Sequence, residues 1–143
     1  MTVAVSYGDL IREWEERPLL RGLGLTVAEL DRGHARLELA LNGTNATGVR
    51  DSINGGVQAT VAEIAAHLAA ATLLGPGEYI EGTQDVSISY LTSARAAVTV
   101  IEARVLRHGR LTVVDVDLGP GGDEDDDGQL NAKARVTCAL GRG

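Results

Sequence analysis

Residues 57–74 carry the longest helical pattern in the chain, and seven of these positions (59, 62, 65, 66, 69, 70 and 71) are alanine. Larger apolar residues recur at Val57, Val61, Ile64 and Leu68, and Gly75-Pro76-Gly77 ends the run. At 1.5 Å of rise per residue, such a helix is about 27 Å long, the full diameter of a small domain. With so little bulk on any face, other elements can approach it closely from several sides, as when a sheet wraps it. The rest of the chain must therefore be built around one central helix.

The flanking segments supply the sheet. Residues 6–17 read as a short amphipathic helix, with Ser6 and Asp9 spaced as a capping box and Tyr7, Leu10, Ile11 and Trp14 forming one apolar stripe. Pro18 is expected to stop it. Residues 23–30 and 34–41 read as a hairpin about the Asp31-Arg32-Gly33 turn, with Ala35, Leu37, Leu39 and Leu41 on one face and Arg36 and Glu38 on the other. A polar loop spans 42–54. After the central helix, strands are expected over 83–91, 97–107, 111–118 and 130–140, with a turn at 107–110 and an acidic loop over 119–128. Neither an internal repeat nor a linker is evident, so residues 1–143 read as one α+β domain.

Composition removes several function classes. Thirteen basic residues against twenty acidic ones give a net charge of −7, which is unfavourable for contacts to phosphate backbones or anionic membranes. Three tyrosines, one tryptophan and no phenylalanine leave no base-stacking platform. No apolar run is long enough to span a bilayer, and the first residues lack a basic stretch followed by an apolar block. A cytoplasmic protein, without nucleic-acid or membrane partners, is expected. Cys138 is the only cysteine, so neither an internal disulfide nor a cysteine-based zinc site can form. The Asp123–Asp127 run begins like a calcium loop, but its twelfth position is Ala134, where a bidentate Glu is required. A solvated loop is expected there, and no metal site.

Two places can carry chemistry. Gly55-Gly56 opens the central helix, where unpaired N–H groups and the positive end of the dipole can hold a developing oxyanion or simply begin a helix. Glu63 is the only acidic residue of that helix, on a row with Thr60, His67 and Ala70, and His67 is one turn further on. It is either half of a structural Glu–His pair or a general base or nucleophile. Arg104, Arg107 and Arg110, with His108, make a basic cluster explained either by hairpin solvation or by a phosphate-bearing ligand.

The stretches SINGGVQATVAEIAAHLAA, VSISYLTSARAAVTVIEARVLRHGRLTVVDVDL and DGQLNAKARVTCAL resemble the hotdog-fold acyl-CoA thioesterases, in particular the phenylacetate-degradation (PaaI-like) and 4-hydroxybenzoyl-CoA types. The resemblance runs from about Pro18 to Leu140. It implies a long helix wrapped by a single antiparallel sheet, with sites between the two subunits of a homodimer, alone or in a dimer of dimers. The family signature is His-Gly-Gly with an acidic residue nine positions after the His; here Asn54-Gly55-Gly56 and Glu63 hold that register. By this resemblance the Gly55 N–H polarises the thioester carbonyl with Gly56 beside it. Glu63 of the other subunit attacks or activates water, and Thr83 orients that water. No cofactor is implied, coenzyme A entering as part of a small- to medium-chain or aryl substrate. His67 and the three arginines are the further candidates for substrate binding.

The sequence departs from the family in that Asn54 replaces the His, Gly48 stands where an Asn is often found, and Asp51 where a Gly is. Asn42 and Asn45 are the candidates to compensate. Two other readings stand beside hydrolysis: a non-catalytic acyl-CoA-binding module, and a dehydratase or hydratase using His67.

Overall fold

The computed structural model describes residues 7–121 and 129–143. Ser6 of the expected capping box and the Asp123–Asp127 run lie outside them. The elements are helices α1 (Tyr7–Glu15) and α2 (Pro18–Leu23), strands β1 (Leu25–Asp31) and β2 (His34–Ala40), helix α3 (Gly55–Ala71), and strands β3 (Glu78–Tyr90), β4 (Val98–Arg107), β5 (Leu111–Pro120) and β6 (Ala132–Arg142). Pro18 does end α1, but it also starts α2 at the first helical position, where its fixed φ and missing N–H cost nothing.

The six strands form one antiparallel sheet in the order β1-β2-β4-β5-β6-β3. It curves around α3, which lies against all six strands. This is the hotdog fold. Val61, Ala62, Ala65, Ala66, Leu68 and Ala69 of α3 are fully buried against the inward faces of the strands, among them Leu37, Ile101, Val116 and Val136. Alanine is what allows a sheet to close on a helix from so many directions, because a larger side chain on any of these faces would hold a strand away.

The helix leaves one stripe less covered: Gly56, Thr60, Glu63, His67 and Ala71, spaced at i, i+4, i+7, i+11 and i+15. Ala70, placed on this row by the sequence spacing, is fully buried, and Ala71 takes its place. Beside the stripe runs β3, an edge strand of 13 residues whose outer backbone edge pairs with no described strand.

β3 starts five residues before its expected start. Its pairing with β6 shifts register between Ile80 and Gly82 and again between Thr83 and Asp85. Those bulges break the two-residue period that marks a strand in sequence. Beyond them the alternation holds, and Val86, Ile88 and Tyr90 pair with the buried Val136, Ala134 and Ala132.

Candidate active site

The first half of the site is the amino end of α3. Asn54 is the N-cap, and its side-chain oxygen accepts a hydrogen bond from the Gly56 N–H at 2.7 Å. The Gly55 N–H has no acceptor among the described residues and remains available as a donor beside the positive end of the helix dipole. Tyr90, from the end of β3, donates its hydroxyl to the Gly55 carbonyl at 2.6 Å, and its ring packs over the glycine. Asn54, Gly55 and Tyr90 line an open cleft of about 810 Å³ together with Gly48, Ile53 and Gln58. Gln58 is 5% exposed; its Nε2 donates to the Ile53 carbonyl at 3.1 Å, while its Oε1 is buried without a partner among the described residues.

The loop before α3 is built differently from what the resemblance suggests. Gly48 donates its N–H to the Ser52 carbonyl at 2.8 Å, and Arg50 and Asp51 both take left-handed conformations (φ 56° and 58°) to close the turn. A Cβ on Gly48 would meet Ser52 Oγ at 2.8 Å and the Ser52 carbonyl at 2.9 Å. An amide side chain at this position therefore does not fit. Gly48→Asn is expected to cost about 1–3 kcal/mol in urea denaturation without raising turnover, since overpacking is relieved only by opening the turn. A variant as stable as wild type and faster would show that the turn re-forms around an amide. Asn42 and Asn45 do not compensate either. Asn45 is fully buried and donates to the carbonyls of Leu23 and Ala40 at 2.9 and 2.8 Å. Asn42 accepts from the Thr44 and Asn45 N–H groups and donates to the Leu23 carbonyl. Both brace the loop.

The second half lies further along the open stripe of α3. Glu63 is half-buried, with no hydrogen-bond partner among the described residues. His67 Nε2 lies 2.7 Å from Thr83 Oγ1. Thr83 pairs with the fully buried Cys138, and directly paired residues share a sheet face, so the threonine hydroxyl is turned toward α3. Burial pushes the Cys138 thiol up to about 11, and the Glu63 charge adds to that push. Burial likewise lowers the His67 pKa; Glu63 opposes that shift and the Arg17 guanidinium reinforces it. The Glu63 charge thus reaches both His67, which is bonded to Thr83 on β3, and Cys138 on β6.

The two halves are not brought together within one chain. Eight residues of helix put Glu63 about 12 Å along the axis from Gly55, too far for both to act on one carbonyl. The arginines are not gathered at either half. The buried positions of β4 are Thr99, Ile101 and Ala103, so Arg104 is on the face turned away from α3. Arg107 closes β4, and Arg110 sits with Glu78, Tyr79 and Arg142 at the start of β3, roughly 30 Å of strand from Tyr90. Among the described residues no three His, Cys, Asp or Glu side chains gather to hold a metal, and no helix is long and apolar enough to cross a membrane.

Tyr90 and Gln58 were not legible as site residues. Tyr90 reads as one more inward position of an alternating strand, and nothing local links it to a glycine 35 residues earlier. Gln58 is the single polar residue in a buried helical row, which is a signal, but one shared with many structural glutamines.

Solved structures share the fold closely. A thioesterase family protein from Silicibacter pomeroyi superposes with a TM-score of 0.85 at 21% identity, over 96% of this chain and 100% of that one. A thioesterase from Haemophilus influenzae gives 0.82 at 16% identity, covering 98% and 93%. A thioesterase variant from Pseudomonas aeruginosa gives 0.80 at 19%, covering 100% and 97%. No curated protein matches the sequence. From the loop before α3 through most of β5, residues 51–117 match the family model of the thioesterase superfamily.

Proposed function

We propose that the protein is an acyl-CoA thioesterase whose site is completed by two copies of the chain. The observation that carries this reading is the placement of a Gly55 N–H and a half-buried Glu63, neither with a partner among the described residues, on one helix, about 12 Å apart along the stripe that the sheet leaves uncovered.

Levels along the two elements support the pairing. With Tyr90 at the level of Gly55, the rise of α3 puts Glu63 beside about Val86–Ser87 of β3 and His67 near Thr83, as their contact requires. A two-fold axis crossing β3 near Ser87–Ile88 would join the two edge strands antiparallel and carry Glu63 of the partner subunit to the level of Gly55. The β3 edge suits such a joint: it is long and pairs with no described strand, with Val86 and Tyr90 37% and 51% exposed and Leu91, just past its end, 57% exposed. The same pairing would bring Arg110 of the partner subunit nearer to the cleft than Arg110 of the same chain.

In this site the Gly55 N–H donates to the thioester carbonyl oxygen, more strongly as negative charge develops. The Asn54 amide NH₂ has no partner among the described residues and can donate beside it, because only its oxygen is engaged with Gly56. Glu63 takes one proton from a water molecule as the water oxygen bonds to the carbonyl carbon. The tetrahedral intermediate then collapses, the C–S bond breaks, and the proton held by Glu63 passes to the departing thiolate, leaving free acid and CoA.

Release of free thiol from short-, medium-, long-chain and aryl acyl-CoAs tests this reading. Turnover of at least one class, favouring small to medium or aryl groups, is the expected result. Binding without turnover across the whole panel would favour the non-catalytic module, a reading supported by Asn54 capping its own helix where the resembled enzymes carry a His.

A further inference from the structure

We infer that His67 is a positioning residue for the hydrolytic water, acting through the Thr83 hydroxyl; the inference rests on the thioesterase reading above. A water that gives one proton to Glu63 has a second hydrogen to place. Thr83 Oγ1 accepts it when the threonine's own hydrogen is held away from the water by another acceptor. His67 Nε2, at 2.7 Å, is the acceptor that the structure supplies. The register shifts on either side of Thr83 make this contact possible, because they re-aim one strand residue toward the helix.

The arrangement works only with a neutral imidazole carrying its hydrogen on Nδ1. Once protonated, Nε2 donates to Thr83 and takes one of its two lone pairs, and the threonine hydrogen, having lost the acceptor that held it, competes with the water's hydrogen for the remaining space. The groups around the imidazole come from every side: Glu63 one turn earlier on α3, Arg17 between α1 and α2, Thr83 on β3, and Cys138 across from Thr83 on β6. Burial and Arg17 favour the neutral ring, and Glu63 opposes them. Activity should therefore fall with decreasing pH as His67 takes up a proton, in addition to any loss from protonating Glu63 itself.

The experiment is a set of pH–kcat profiles for wild type, His67→Gln, His67→Ala, Thr83→Ala and the double alanine variant, with Glu63→Gln alongside. Glutamine keeps an acceptor for Thr83 and cannot titrate. His67→Gln is expected to stay within about 5-fold of wild type at neutral pH, with an acid limb displaced to lower pH. His67→Ala and Thr83→Ala should each lower kcat about 10-fold with KM within about twofold, and the double variant should be no worse than either. Superimposable acid limbs, additive losses or full activity in His67→Ala would overturn the inference. So would a collapse of His67→Gln as deep as that of Glu63→Gln, since His67 would then itself carry the proton. Unchanged turnover in Glu63→Gln would instead remove the thioesterase mechanism, and no turnover in wild type would remove both.

Discussion

Glu63→Gln is expected to lower kcat for thioester hydrolysis by 100-fold or more while leaving the fold intact. A positioned general base contributes about 10²–10⁴-fold, or ~3–5 kcal/mol of barrier, and the amide keeps the shape of the carboxylate without its basicity. Stability should change by no more than about 0.5 kcal/mol, because Glu63 is half-buried and makes no hydrogen bond to a described residue that the exchange could break. Thiol release followed at saturating substrate, with a melting curve for each protein, checks both halves. A variant that turns over at the wild-type rate would move the base away from Glu63. Absence of turnover in both proteins would leave binding as the function, and an acyl-CoA at 100 times its dissociation constant should then stabilise either protein by about 2.7 kcal/mol.

What could be read from the sequence was whatever repeats with a local period. The alanine-rich helix announces itself through residues three and four apart, and the strands from β4 onward through residues two apart, so the α+β layout and the single sheet were legible. The early part of β3 was not, because its register shifts reset the period at Gly82 and Thr83. Neighbouring side chains were legible only where a helix places them, as with Glu63 and His67, where the Glu63 charge acts on the imidazole without a hydrogen bond between them. The bond from Tyr90 to Gly55, the bond between His67 and Thr83 and the burial of Asn45 depend on how the sheet curves around the helix, which no local spacing encodes. The arginines show the converse. Nearness in sequence placed Arg104, Arg107 and Arg110 together on a hairpin, yet alternation turns Arg104 outward and strand length carries Arg110 to the far end of the sheet.

That separation makes the proposed division of the site between two chains the most consequential feature to test. Gly55→Pro removes the N–H that would polarise the carbonyl and does little else to the backbone. The first helical position tolerates proline, and Asn54, with φ −57° and ψ 139°, already has the extended conformation that a residue before proline requires. The ring would press on Tyr90, whose atoms lie 3.3 Å from a Cβ at this position, but Tyr90 is half-exposed and can yield by the few tenths of an ångström needed. Alone, Gly55→Pro should lose about 100-fold or more in kcat, the loss typical of deleting one oxyanion donor. Mixed with Glu63→Gln and allowed to exchange subunits, the two inactive proteins should restore activity. Half of the dimers are then mixed, and one of the two sites in each has an intact Gly55 from one chain and an intact Glu63 from the other. The recovered rate should approach about a quarter of wild type at equal total protein. A site contained in one chain predicts no recovery at any mixing ratio, because every such site retains one of the two lesions. Recovery therefore depends on which chain supplies each group, and a general effect of dimerisation on stability would not produce it.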